Sequence, residues 1–195
     1  MRAEIRHIIE FRNITKRFGN YTANECISFG IAKNSIHSII GENGAGKSTL
    51  MKVLFGMYAP DAGDILINEI PRRFRSPLEA IANNIGMLHQ HFELIEDFTV
   101  FENVILGSEP VKRGAIVVQE TRRRIIELID KYNLGISPED RVCDISISQK
   151  QKVEILKLLF RNSEILIFDE PTSVLSPVEV EEFFRIIRKF KEMGK

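Results

Sequence analysis

Apolar and polar residues alternate loosely at the start of the chain and then change period. Ile8–Ile14, Ala23–Phe29 and Gly63–Asn68 each mix β-formers with polar residues, as half-buried strands do. Pro60-Asp61-Ala62-Gly63 supplies a turn before the third. Ser35–Ile40 reads as a short buried strand and Ile85–Leu88 as another. From about Thr99 to Leu159 the period becomes helical: Ile125, Ile126, Leu128, Ile129 and Tyr132 form one apolar stripe on a helix rich in arginine and glutamate. Glu164–Phe168 is an apolar run of the kind covered on both faces in parallel sheets. Ser176, Pro177 and Glu179 then open a helix whose buried side is Val180, Phe183, Phe184, Ile187 and Phe190, with Gly194 as its stop. The pattern predicts an α/β fold with an N-terminal antiparallel β region and a helical insertion.

Composition narrows the class. The 195 residues carry 27 basic and 27 acidic side chains, so no global attraction to nucleic acid or anionic lipid is expected. Arg72-Arg73-Phe74-Arg75 and Arg122-Arg123-Arg124 read as solvated faces. Cys26 and Cys143 form neither a C-x-x-C pair nor a disulfide framework, which fits a reducing compartment. No apolar run approaches the roughly 20 residues of a membrane span, and Met1–Arg6 lacks the apolar stretch of a signal peptide. A cytoplasmic protein is expected, held at the inner face of the membrane only through partners.

The candidate chemistry begins at Gly41-Glu42-Asn43-Gly44-Ala45-Gly46-Lys47-Ser48-Thr49, which fits G-x-x-x-x-G-K-[ST] between a predicted strand and a predicted helix. Glycines let the backbone curl so that amides face phosphate oxygens. Lys47 supplies a full charge, Ser48 offers a hydroxyl to Mg²⁺, and the helix dipole points its positive end at the same anion. Asp169 and Glu170 end a predicted strand, the edge where ligands bind in open α/β sheets. Asp169 is placed to serve Mg²⁺ with Ser48, and Glu170 to orient or deprotonate the attacking water. The reaction would be in-line phosphoryl transfer to water. His89 and His91 without a third ligand make a poor metal site and read as structural.

Together Gly41–Thr49, Gln90, Ile145–Lys152 and Ile165–Pro177 resemble the ATP-binding cassette of ABC transporters, over nearly the whole chain. The resemblance implies a P-loop NTPase core with a mixed or parallel sheet, and ATP and Mg²⁺ as cofactors. It divides a single, incomplete cassette of residues 1–195 into a β-rich nucleotide-binding core (about 1–93), a helical subdomain (about 94–145) and a final part (about 146–195) with the signature helix and acidic strand. It implies that Phe18 stacks on adenine and that Gln90 touches Mg²⁺ and the water. Ile145-Ser146-Ile147-Ser148-Gln149 aligns with the signature, so Ser146, Ser148 and Gln149 would meet the ATP of a second cassette, in a dimer or a tandem half. His89–Phe92, Thr99–Val104 and Val153–Lys157 most resemble importers of simple sugars or nucleosides, which work with membrane permeases and an extracytoplasmic binding protein. The transported substrate is selected by those partners.

Three departures qualify the resemblance. Ser148 replaces a signature glycine, with a Cβ that crowds the γ-phosphate or a backbone angle only glycine takes. Ser176 replaces an aspartate. The family also continues beyond the position of Lys195 with a strand and a γ-phosphate-contacting histidine, and none of His7, His37, His89 and His91 stands there. The alternative expectation is a nucleotide-binding fragment with little or no turnover. A soluble ABC-type ATPase acting on ribosomes or DNA is disfavoured by neutral charge.

Overall fold

In the computed structural model, which describes residues 6–90, 92–112 and 114–195, the first long element is a hairpin. Strand β1 (His7–Phe18) pairs antiparallel with β2 (Tyr21–Ala32), and on its other edge with β3 (Ala62–Ile67). β3 turns through Asn68 and Glu69 into β4 (Ile70–Arg72), giving the order β2-β1-β3-β4. Both turn residues have positive φ, 50° and 66°, as a two-residue hairpin turn of this twist requires. The predicted antiparallel β region is therefore present. In β1 the buried positions Ile9 and Phe11 give way to Ile14. The phase changes because an irregularity in the β1–β2 ladder lies between Phe11 and Ile14, where Asn13 takes φ 50°.

Helix α1 (Lys47–Leu54) buries Leu50, Val53 and Leu54. Helix α2 (Pro77–Ala82) starts on Ser76, whose hydroxyl accepts from Glu79 N. Strand β5 (Ile85–Leu88) pairs with β8 (Ile165–Phe168), a partner far along the chain. Between them come α3 (Val100–Ile105), a two-residue pair β6 (Val111–Lys112) and β7 (Ala115–Ile116), α4 (Val118–Tyr132) and α5 (Ile147–Phe160). Helix α6 (Pro177–Glu192) follows, and Gly194, at φ 82°, ends it as expected. The chain divides into two compact units, Met1–Gly86 with Phe190–Lys195, and Met87–Lys189.

Four expectations are corrected. Ser35–Ile40 is not a strand: Ile36 is 51% and Ile40 93% exposed, and an extended run without a ladder has nothing to bury its side chains. In α4, Ile125, Ile129 and Tyr132 are buried but Ile126 is exposed, one residue being about 100° round the helix from its neighbour. In α6, Ile186 takes the buried place predicted for Phe184, which is exposed. In β8 only Ile167 is fully buried, so the strand is not covered on both faces. The arginine cluster on α4 is also more than a solvated face. Arg122 pairs with Glu139 and lies over the Phe101 ring, and Arg124 donates to Phe160 O at 2.7 Å.

Candidate functional site

The phosphate loop belongs to the first unit. Gly44 and Gly46 have φ of 83° and 85°, the left-handed region that only glycine enters freely. Gly46 is the N-cap of α1, no side chain caps that helix, and its first turn holds no acidic residue. A Cβ on Gly46 would lie 2.1 Å from Ala23 O, so the loop rests directly on β2. Lys47 Nζ donates to Gly41 O at 2.8 Å and Glu42 O at 2.7 Å. Its ammonium is thus folded back over the loop, beside the helix N-terminus, where an anion is most favoured. Glu42, Asn43 and Ala45 are exposed, and Lys47, Ser48 and Thr49 are half-buried. This chemistry fits a polyphosphate: amides at a helix start, a flexible cation and open access.

Phe18 ends β1 in the same unit. It is 42% exposed, too open for a core phenylalanine. Tyr58 meets it edge-on at 5.2 Å, fixing its ring, and Lys16 Nζ lies 5.3 Å from its centroid.

The acidic pair belongs to the second unit. β5 and β8 finish side by side, since Asp169 N donates to Leu88 O at 3.1 Å. Asp169 is 7% exposed; Glu170 points out. This common end brings Gln90 to the acidic pair, with Gln90 Nε2 donating to Glu170 Oε2 at 3.2 Å. Glu170 has φ 49°, a strained angle for a glutamate, and Ser173 Oγ donates to its carbonyl at 3.0 Å. His89 Nε2 lies 3.8 Å from Glu93, while His91 falls outside the described residues.

The signature segment, also in the second unit, starts α5 with a closed capping box. Ser146 Oγ accepts from Gln149 N at 3.2 Å, and Gln149 Oε1 accepts from Ser146 N at 3.0 Å. Ser148 sits in the helix without positive φ, so the expected demand for a glycine-only angle is absent. Nearby, Glu179 accepts from Ser176 N and Ser176 Oγ, both at 2.8 Å. These contacts, led by the Ser176 backbone N–H, hold the Glu179 carboxyl below its ordinary value.

Five supporting residues were given no individual role by the sequence. Tyr21 OH donates to Gly44 O at 3.0 Å, and Asn24 Nδ2 to Gly46 O at 3.1 Å. Gln151 Nε2 donates to Pro171 O at 2.5 Å, tying α5 to the residue after the acidic pair. Asn103 and Glu154 accept from Ile95 N and Glu93 N, both at 2.8 Å, and so pin the segment after Gln90. The available signal was a polar residue within an apolar helical face, as Gln151 and Glu154 show; Tyr21 and Asn24 gave none.

A family profile described as ABC transporter matches residues 25–173. The chain belongs to the ABC transporter family. Nucleotide binding is the property of that family's ATPase cassette. Among curated relatives, the chain is 46% identical over 189 residues to the guanosine import ATP-binding protein NupO of Bacillus subtilis (strain 168), covering 97% of this chain and 37% of NupO. It is 43% identical over 188 residues to the nucleoside import ATP-binding protein NupA of Lactococcus lactis subsp. cremoris (strain MG1363), covering 96% and 37%. With the ribose import ATP-binding protein RbsA 1 of Rubrobacter xylanophilus it shares 40% over 190 residues, covering 97% and 38%. The chain thus spans little more than a third of these relatives' length. Among solved structures, a nucleotide-free ATP-binding cassette from an ABC transporter matches the fold with a TM-score of 0.85 at 24% identity, over 96% of this chain and 78% of that one. A dimeric bacterial ABC transporter cassette matches with a TM-score of 0.80 at 29% identity, over 96% and 84%. Among the described residues no helix is long and apolar enough to cross a membrane.

Proposed function

We propose that this chain is the ATP-binding, energy-coupling part of an importer for nucleosides or simple sugars. The phosphate loop carries the reading: a helix opening on Gly46 without a side-chain cap, with the Lys47 ammonium turned over it. The relatives' import functions support the transport assignment.

In this reading Gly41–Thr49 holds the triphosphate, Lys47 exchanges its two carbonyl acceptors for phosphate oxygens, and Phe18 stacks on the base. Ser48, Gln90 and Asp169 are assigned to Mg²⁺, which when bound would neutralise charge developing on the phosphates. Glu170 takes the proton of the attacking water as its oxygen bonds to the γ-phosphorus and the bond to ADP breaks. Gln90 fixes the Glu170 carboxylate for that task by donating to it. The partners are a second cassette, whose ATP Ser146, Ser148 and Gln149 would meet, membrane permease subunits at the inner face of the membrane, and through them an extracytoplasmic binding protein.

The test is calorimetric binding of MgATP together with steady-state ATPase. Lys47→Ala should weaken binding about 10- to 100-fold, the contribution of a charge-assisted contact. Glu170→Gln should keep binding and lower turnover about 10²- to 10⁴-fold. Wild-type turnover no higher than that of Glu170→Gln, with binding intact, would favour the second reading, a nucleotide-binding piece without turnover. The closed Ser146–Gln149 box favours that reading, because these two signature residues are already satisfied within the chain.

A further inference from the structure

Asn24 lies on β2, is 6% exposed, and reaches the phosphate loop at one point. Its Nδ2 donates to Gly46 O at 3.1 Å, the same carbonyl that accepts the first helical bond of α1 from Leu50 N at 2.9 Å. Its Oδ1 is buried without a hydrogen-bond partner. Gly46 cannot move closer to that strand, because a Cβ there would already lie 2.1 Å from Ala23 O. A trans peptide is planar, with C=O and N–H pointing opposite ways. Fixing the Gly46 carbonyl toward β2 therefore fixes the Lys47 N–H away from β2, at the mouth of the loop. The helical bond alone leaves that plane free to tilt; Asn24 gives it a second anchor. Tyr21, three residues earlier, ties Gly44 O in the same manner and is the register partner of Phe18.

We propose that Asn24 is a positioning residue for the triphosphate: its amide aims the Lys47 N–H into the phosphate cup, so the hairpin that carries Phe18 also sets the loop. This rests on reading Gly41–Thr49 as the triphosphate site. The orphaned Oδ1 gives the proposal a distinctive sign. A buried carbonyl without a donor destabilises a fold by more than one net hydrogen bond stabilises it. Asn24 thus serves the loop at the expense of the fold.

The experiment compares the full chain with Asn24→Leu, which keeps the volume but removes both polar ends. Thermal unfolding and calorimetric MgATP binding are measured on each. The expected result is a rise in Tm of about 2–4 °C with MgATP affinity about fivefold weaker, the worth of one net hydrogen bond. Asn24→Asp, which turns an acceptor toward the Gly46 carbonyl, should weaken binding further while lowering Tm. Unchanged affinity in both variants overturns the proposal. So does a fall in Tm, or loss of the fold, in Asn24→Leu, since Asn24 would then be a plain structural residue. If the wild-type chain takes up no MgATP, the triphosphate reading itself fails; if it binds and Asn24→Leu binds equally well, only the positioning role fails.

Discussion

Two helices of this chain begin at residues expected to meet nucleotide, and they begin in opposite ways. Helix α1 opens on Gly46, in a left-handed conformation with no side chain capping it. Helix α5 opens on Ser146, and Ser146 and Gln149 cap each other completely. An open start leaves the dipole for a ligand and relies on neighbouring backbone and β2 side chains for its shape. A closed start is stable by itself and offers less to an incoming phosphate. The phosphate loop is held open from behind by β2, whereas the segment assigned in the proposed function to a partner's nucleotide has its end groups satisfied within the chain.

The contrast breaks most visibly at Gly46. Gly46→Ala places a Cβ 2.1 Å from Ala23 O and adds roughly 1–2 kcal/mol of left-handed strain. Calorimetry should then detect no MgATP binding, and retained wild-type affinity would show that the left-handed cap is dispensable. Ser146→Ala should have the complementary effect. Losing a side-chain N-cap costs about 1 kcal/mol, which thermal unfolding reads as about 2–4 °C, while MgATP affinity of the single chain stays within about twofold.

The smallest effect separates two closed caps. Thr99 and Glu102 box the start of α3 as Ser146 and Gln149 box α5, but with an ionised group. The Thr99 backbone N–H, then its hydroxyl, hold the Glu102 carboxyl below its ordinary 4.5. A depressed carboxylate stabilises the fold above its unfolded value, and that contribution is lost as pH falls through the folded value. Glu102→Gln should therefore lower Tm by about a degree at pH 7, and the difference from wild type should shrink as pH falls below 4.5 and vanish once it has passed the depressed folded value. A difference that persists there would mean that the carboxylate charge contributes nothing.

Much of the fold was legible because local chemistry and tertiary context agreed. Ile85–Leu88 was expected as a strand and is one, and Pro177 and Gly194 bound α6 as their backbone preferences require. Ser35–Ile40 has the same apolar look as Ile85–Leu88, yet only the latter has a paired strand. Pairing is not a property of either segment alone. The exposed Ile126 and Phe184 were misplaced for a related reason: periodicity gives an apolar arc, and packing decides where its edge falls.

The sequence by itself determined the phosphate loop, because glycine spacing and one lysine specify a backbone shape and a charge together. It also determined the capping boxes, whose partners are three residues apart. Tertiary structure alone decided that Gln90 meets Glu170, that Asn24 holds Gly46, and that Gln151 reaches Pro171. Those pairs join residues 80, 22 and 20 positions apart. No local preference encodes such a meeting; it follows from which strands pair and which helix faces pack.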